Sequence, residues 1–205
     1  MRSMFLAGGP LMWPILLCSL LSLTVVIERI AFWHRLRRAA DPALRERLLA
    51  AAASGAFDEA AAAARGSRDP AVRVYAAGLA HRACGLSESM QTAADGEIAR
   101  TRRGLAVLDT SVTLAPLLGI LGTVSGIITS FDLIGGGVDD PKAVTGGIAV
   151  ALITTAAGLT VAILALIPFN FFISRVESFA RDLAGRVTQF EIACRRGREP
   201  GDASA

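Results

Sequence analysis

Three cysteines and two histidines are all that the 205-residue sequence offers as soft metal ligands. Cys18, Cys84 and Cys194 stand far apart, as do His34 and His81, and no ligand set at metal-binding spacing gathers around any of them. Neither a metal nor a cofactor is expected, and in a reducing compartment no disulfide is expected either. The chain also lacks a nucleophile–base pair and a nucleotide-binding loop, which argues against an enzyme. A third absence concerns charge. No acidic residue occurs in the middle of any long apolar stretch.

What the chain has in quantity is hydrocarbon. Hydrophobic residues make up 53% of it, with a mean hydropathy of +0.50. They come in blocks, and a block of about 18 or more reads as a membrane span. Three such blocks run from about Leu11 to Phe32, Val112 to Ile134 and Val144 to Ile173. The net charge of +3 and the pI near 9.1 invite a nucleic-acid reading, but the positions of the charges oppose it. Arg29, Arg35, Arg37 and Arg38 follow the first block, and Arg100, Arg102 and Arg103 precede the second. Arg175, Arg181 and Arg186 follow the third, with Arg195, Arg196 and Arg198 beyond, whereas the opposite side holds only Arg2 and Lys142. This is the bias of cytoplasmic loops. It predicts an all-α membrane protein with three transmembrane helices, N-terminus outside and C-terminus inside. The organisation expected is 1–34 for the N-terminal segment and first span, 35–109 for a cytoplasmic helical region, and 110–134 for the second span. An outer hairpin over 135–143, a third span over 144–173 and a cytoplasmic helical extension and tail over 174–205 complete it.

A cleaved signal peptide is the competing reading of the N-terminus. Only Arg2 is basic there, and the apolar run ends in Glu28-Arg29 and a basic stretch, so an anchor fits better. Trp13 and Trp33 lie twenty positions apart, roughly 30 Å of helix, which sets an indole near each interface. In the cytoplasmic region Ser54-Gly55 reads as a turn, followed by Phe57, Ala60, Ala61 and Ala64 at helical spacing. Asp69 is a cap with Pro70 at the first helical position, Gly85 is a further break and Ser87 a cap. From Ser87 a single long helix is expected to run into the second span as far as Gly135, kinked at Pro116. Val176, Phe179, Leu183, Val187 and Phe190 give the extension after the third span an apolar face, and the tail from Arg196 is expected to be disordered.

The second and third blocks carry stripes of small residues. Gly119, Gly122 and Gly126 lie on or near one face of the second; Gly147, Ala151, Thr154, Thr155, Gly158 and Ala162 line the third. Membrane helices use such stripes for close approach, within one subunit or between subunits around a shared central space. Thr123, Ser125, Thr129 and Ser130 add hydroxyls to the second block, and Thr154, Thr155 and Thr160 to the third. Each hydroxyl either bonds its own helix or contributes to a polar lining.

The run Leu118-Gly119-Ile120-Leu121-Gly122-Thr123-Val124-Ser125-Gly126-Ile127 resembles the second-span motif of the MotA/TolQ/ExbB proton-channel family. Ile148-Ala149-Val150-Ala151-Leu152-Ile153-Thr154-Thr155-Ala156-Ala157-Gly158-Leu159 resembles its third-span motif, with the family's Asn at Asn170. With Glu28-Arg29 closing the first span, the likeness covers nearly the whole chain and is nearest to the three-span ExbB and TolQ subunits. It implies a homopentamer in the bacterial inner membrane around single-span ExbD/TolR-like partners, each carrying an essential Asp. Proton flow along that path would drive motion passed to a TonB/TolA-like periplasmic transducer. By position Thr123 and Thr155 match pore-facing threonines of the family, and Thr154 adds a hydroxyl one turn beyond Val150.

Val150 is a departure, because ExbB and TolQ usually have Glu there. Flagellar stator subunits lack it too, but they carry a fourth span for which this chain has no room. Asp109 and Asp132 stand near the inner and outer ends of the second span, and Glu28 beside Arg29 is placed for a local ion pair. A membrane scaffold that passes no ions is the alternative function. A self-sufficient ion channel is disfavoured by the missing mid-membrane acid.

Overall fold

A computed structural model describes residues 8–83, 85–135 and 141–198. The described residues form seven helices and no strand. These are α1 (Met12–Ala39), α2 (Pro42–Ala53), α3 (Phe57–Ala64), α4 (Pro70–Ala80), α5 (Leu86–Arg102), α6 (Leu105–Gly135) and α7 (Pro141–Arg198). Three of them, α1, α6 and α7, are long and apolar enough to cross a membrane. Most of the outer hairpin expected over 135–143 lies outside the described residues, as do Arg2, Cys84 and the tail beyond Arg198.

The breaks follow local chemistry. Asp69 accepts from the backbone N–H groups of Ala71 and Val72, and Pro70 opens α4. Asp41 repeats the device for α2, accepting from the Leu44 N–H with Pro42 behind it. This second Asp-Pro pair stops the chain where no break was anticipated. Gly55, at φ +78°, turns the chain between α2 and α3. Two expectations fail. The single helix from Ser87 to Gly135 is divided at Gly104, whose φ of +80° is a left-handed conformation that glycine adopts without steric cost. Ser87 is not the cap of α5: the cap position falls to Gly85, and the Ser87 hydroxyl donates instead to Glu191 at 2.6 Å. In addition, α7 stays helical through Arg196 to Arg198, where the tail was expected to have begun. Pro116 and Pro168 lie inside α6 and α7, so the carbonyls of Val112 and Leu164 lose their intrahelical donors there.

The chain divides into two compact units. The second comprises Ile30–Arg103 and Ser174–Ala205. Its core joins Leu48 and Ala52 of α2, Ala60 and Ala64 of α3, Val72, Tyr75 and Leu79 of α4, and Met90 of α5 to Leu183, Val187 and Phe190 of α7. The apolar face read on the α7 extension is the face that enters this core. Tyr75 and Phe190 stack with centroids 4.1 Å apart, and the Tyr75 hydroxyl donates to the Arg186 carbonyl. Each such large buried side chain contributes about 1.5–3 kcal/mol. Burial pushes the Cys194 thiol up to about 11, which keeps it protonated and unreactive near neutral pH.

The first unit comprises Met1–Arg29 and Gly104–Ile173. Arg29 is 1% exposed and pairs with Glu28 at 2.5 Å. Leu117, Ile163, Leu164 and Ile167 point outward. Large apolar side chains left outside suit lipid or a neighbouring subunit rather than water.

Candidate functional site

The seam between α6 and α7 is built on glycines. A Cβ on Gly119 would come within 3.1 Å of the Thr155 Cα, and one on Gly126 within 2.8 Å of the Ala151 Cβ. A Cβ on Gly122 would run into the Thr154 side chain, and one on Gly147 into the Ser130 hydroxyl. At Gly158 every obstacle is backbone. A Cβ there would meet the Ala115 carbonyl and lie 3.1 Å from the Gly119 Cα. The stripe therefore packs α6 on α7 within a single chain.

That close approach sets the hydroxyls. Thr155 Oγ1 donates across the seam to the Gly119 carbonyl at 2.7 Å. Thr154, 1% exposed, shares its one hydroxyl proton between the Val150 carbonyl at 2.9 Å and the Gly8 carbonyl at 2.7 Å. Thr123, half-buried, donates to Ile120 of its own helix at 2.6 Å. Gly119 and Gly122 are thus the α6 residues that meet the threonine pair, with Thr123 next along the chain. A cleft of about 170 Å³ adjoins them, lined by Gly8 to Leu11, Ser125, Thr129, Gly147, Val150 and Thr154. Asn170 is exposed farther along α7, and Asp109 and Asp132 are exposed towards the ends of α6.

The chemistry of the seam is one-sided. No charged residue occurs between Asp109 and Asp132, nor between Lys142 and Arg175. The threonine protons are committed to carbonyls, so what remains on each oxygen is lone-pair acceptor capacity. Such a surface accepts a hydrogen bond from a neutral carboxylic acid and has no proton of its own to exchange. The Gly8 carbonyl is the element that sequence reasoning missed. Its only signal was Gly8-Gly9-Pro10, a turn tract directly ahead of the first span, where Gly9 takes a φ of +71°.

Residues 67–184 match the MotA/TolQ/ExbB proton channel family. The chain is 43% identical over 178 residues to the putative biopolymer transport protein ExbB-like 1 of Synechocystis, covering 83% of this chain and 69% of that protein. Putative biopolymer transport protein ExbB-like 3 of the same organism is 30% identical over 200 residues, 93% of each chain. The Tol-Pal system protein TolQ of Haemophilus influenzae is 32% identical over 113 residues, 55% of this chain and 50% of that one.

Proposed function

Since the chain belongs to the MotA/TolQ/ExbB proton channel family, we propose that it is the multi-span subunit of a motor driven by the proton-motive force. Five copies form a ring in the bacterial inner membrane around ExbD/TolR-like single-span helices. A membrane Asp on the partner takes up and releases the proton beside Thr123, Thr154 and Thr155, and a TonB/TolA-like periplasmic protein receives the motion. Gly119, Gly122, Gly126, Gly147 and Gly158 hold the helices that present these threonines. Asn170 belongs to the same helix, farther from the exchange.

One observation supports this above the others: the seam offers acceptors but no titratable group, so the acid that carries the proton has to come from another chain. Val150, where ExbB and TolQ usually have Glu, is consistent with that division of labour. Vesicles containing this chain, the single-span partner, or both are the test. Under an imposed potential, proton uptake is expected only with both, and native mass measurement is expected to count five copies. Flux through this chain alone would overturn the partner requirement. An intact assembly without flux would instead favour a scaffold that conducts nothing, the reading that draws on the same lack of charge.

The orientation has its own test. In a background without the native cysteines, cysteines placed at Ser3 and Gly136 are expected to react with an impermeant thiol reagent in intact cells. One at Ser67 is expected to react only after permeabilisation. Labelling of Ser67 in intact cells would invert the arrangement.

A further inference from the structure

The second unit contains a cavity of about 440 Å³ that the motor reading does not use. Arg37, Arg45, Arg175 and Arg186 line it, against Asp69 and Asp182. The acids are already engaged. Asp69, with a side chain 2% exposed, takes Arg45 at 3.1 Å and the N–H groups of Asp41, Ala71 and Val72. Asp182 takes the Arg186 Nε at 2.9 Å, which leaves the two terminal nitrogens of that guanidinium for another acceptor. Four guanidinium groups thus stand against two carboxylates, and Arg37 and the terminal nitrogens of Arg186 are the donors turned to a ligand.

Its other wall is aromatic and aliphatic. Trp33 and Phe179 meet edge to face at 6.1 Å and line it, with Leu36 and Leu183. The Trp33 Nε1–H is buried and has no acceptor among the described residues. Buried indole N–H groups normally find one, and at membrane interfaces lipid supplies it. Trp33 and Arg37 follow directly on the apolar run of α1, which ends near Phe32, and Arg175 stands two residues beyond Ile173 on α7. Both helices thus supply wall residues just where their apolar stretches stop.

We propose that this cavity seats the phosphate-bearing headgroup of an anionic phospholipid. Arg37 and Arg186 bind the phosphate, and Trp33 and Phe179 flank the glycerol and the first acyl carbons. A cationic pocket with one aromatic wall fits an amphiphile better than a free ion, which would leave that wall without a partner. Arg45 has a positioning role, neutralising Asp69 so that it does not repel the ligand.

The test uses the purified full-length assembly, incubated with an equimolar mixture of phosphatidylglycerol and phosphatidylcholine and examined by native mass spectrometry. Wild type is expected to retain phosphatidylglycerol preferentially. An R37Q/R186Q variant is expected to retain about tenfold to thirtyfold less, the scale of two arginine–headgroup attractions. R35Q/R181Q, which removes the same charge from α1 and α7 outside the cavity, is expected to behave as wild type. If R37Q/R186Q melts early, R37Q alone, an exposed site, is expected to lose severalfold. Equal retention of the two lipids, equal loss in the control, or no loss in R37Q would overturn the proposal. So would full displacement of the lipid by inorganic phosphate, which would mark a site for the free ion.

Discussion

Gly158→Leu is expected to leave almost no assembled protein in the membrane. A side chain there must enter space held by the Ala115 carbonyl and by the Cα and N of Gly119, at 3.1 and 3.2 Å from the first added carbon. All three are backbone atoms of α6, so no rotamer change makes room and the helices must separate. Overpacking a well-filled core costs about 1–3 kcal/mol, and more when the obstacle is backbone. Separation also takes the Gly119 carbonyl away from Thr155, leaving a hydroxyl without its partner in hydrocarbon. Gly122→Leu is expected to act the same way through Thr154, whose β-branched side chain has little freedom to yield. Gly146 is the control, because nothing lies within 4 Å of a Cβ placed there. Native mass and protease resistance of the three variants are the measurements. Normal assembly of Gly158→Leu would mean that the α6–α7 seam is not the packing described above. Disruption by Gly146→Leu with the chain still folded would place Gly146 against a neighbouring subunit.

The Thr154→Val, Thr155→Val double variant is expected to assemble with its partner and to lose ion-driven activity almost entirely. Valine has nearly the shape of threonine, so the packing against Gly119 and Gly122 is kept while both acceptor oxygens vanish. A carboxylic acid brought by a partner helix then loses both threonine oxygens, and what remains on this side, the Thr123 hydroxyl and backbone carbonyls set in hydrocarbon, supports its ionised form poorly. The Gly119 and Gly8 carbonyls lose their donors as well. The readout is therefore proton uptake normalised to assembled complex, so that a loss of protein is not mistaken for a loss of transport. Val150→Glu is expected to shift the pH dependence of transport, since it adds a titratable group one turn from Thr154. Full activity in the double variant would leave proton transfer to the partner and water alone.

The sequence shows which residues form a small-residue face, but not what that face meets. Gly119, Gly122, Gly147 and Gly158 could be read as a stripe from spacing alone. A stripe has the same spacing whether its partner is the next helix of the same chain or a helix of another copy, and only the fold joins Gly158 to Ala115 and Gly119. The break at Gly104 was hidden for a related reason. One glycine among Arg102, Arg103 and Leu105 costs a helix about 1 kcal/mol, which does not distinguish a tolerated residue from one with positive φ. Ser87 illustrates the opposite error: a residue with the chemistry of a cap is claimed by Glu191, more than a hundred positions away. The Asp69-Pro70 stop was legible because cap and proline are both local. The Asp41-Pro42 stop obeys the same local rule and was nonetheless not anticipated.

Val150 and the Gly8–Leu11 segment share a cleft, and a Cβ on Gly9 would stand 3.5 Å from a Val150 methyl. Glycines can rest there because the residue opposite makes no demand for water. A carboxylate at 150 would need hydration in the space the segment fills, and its charge would face the Gly8 carbonyl. Position 150 and the segment just ahead of α1 are thus coupled through one packed cleft. Relatives with an acid at 150 are expected to differ in the residues just ahead of α1, and relatives with an aliphatic residue there are expected to have the glycines.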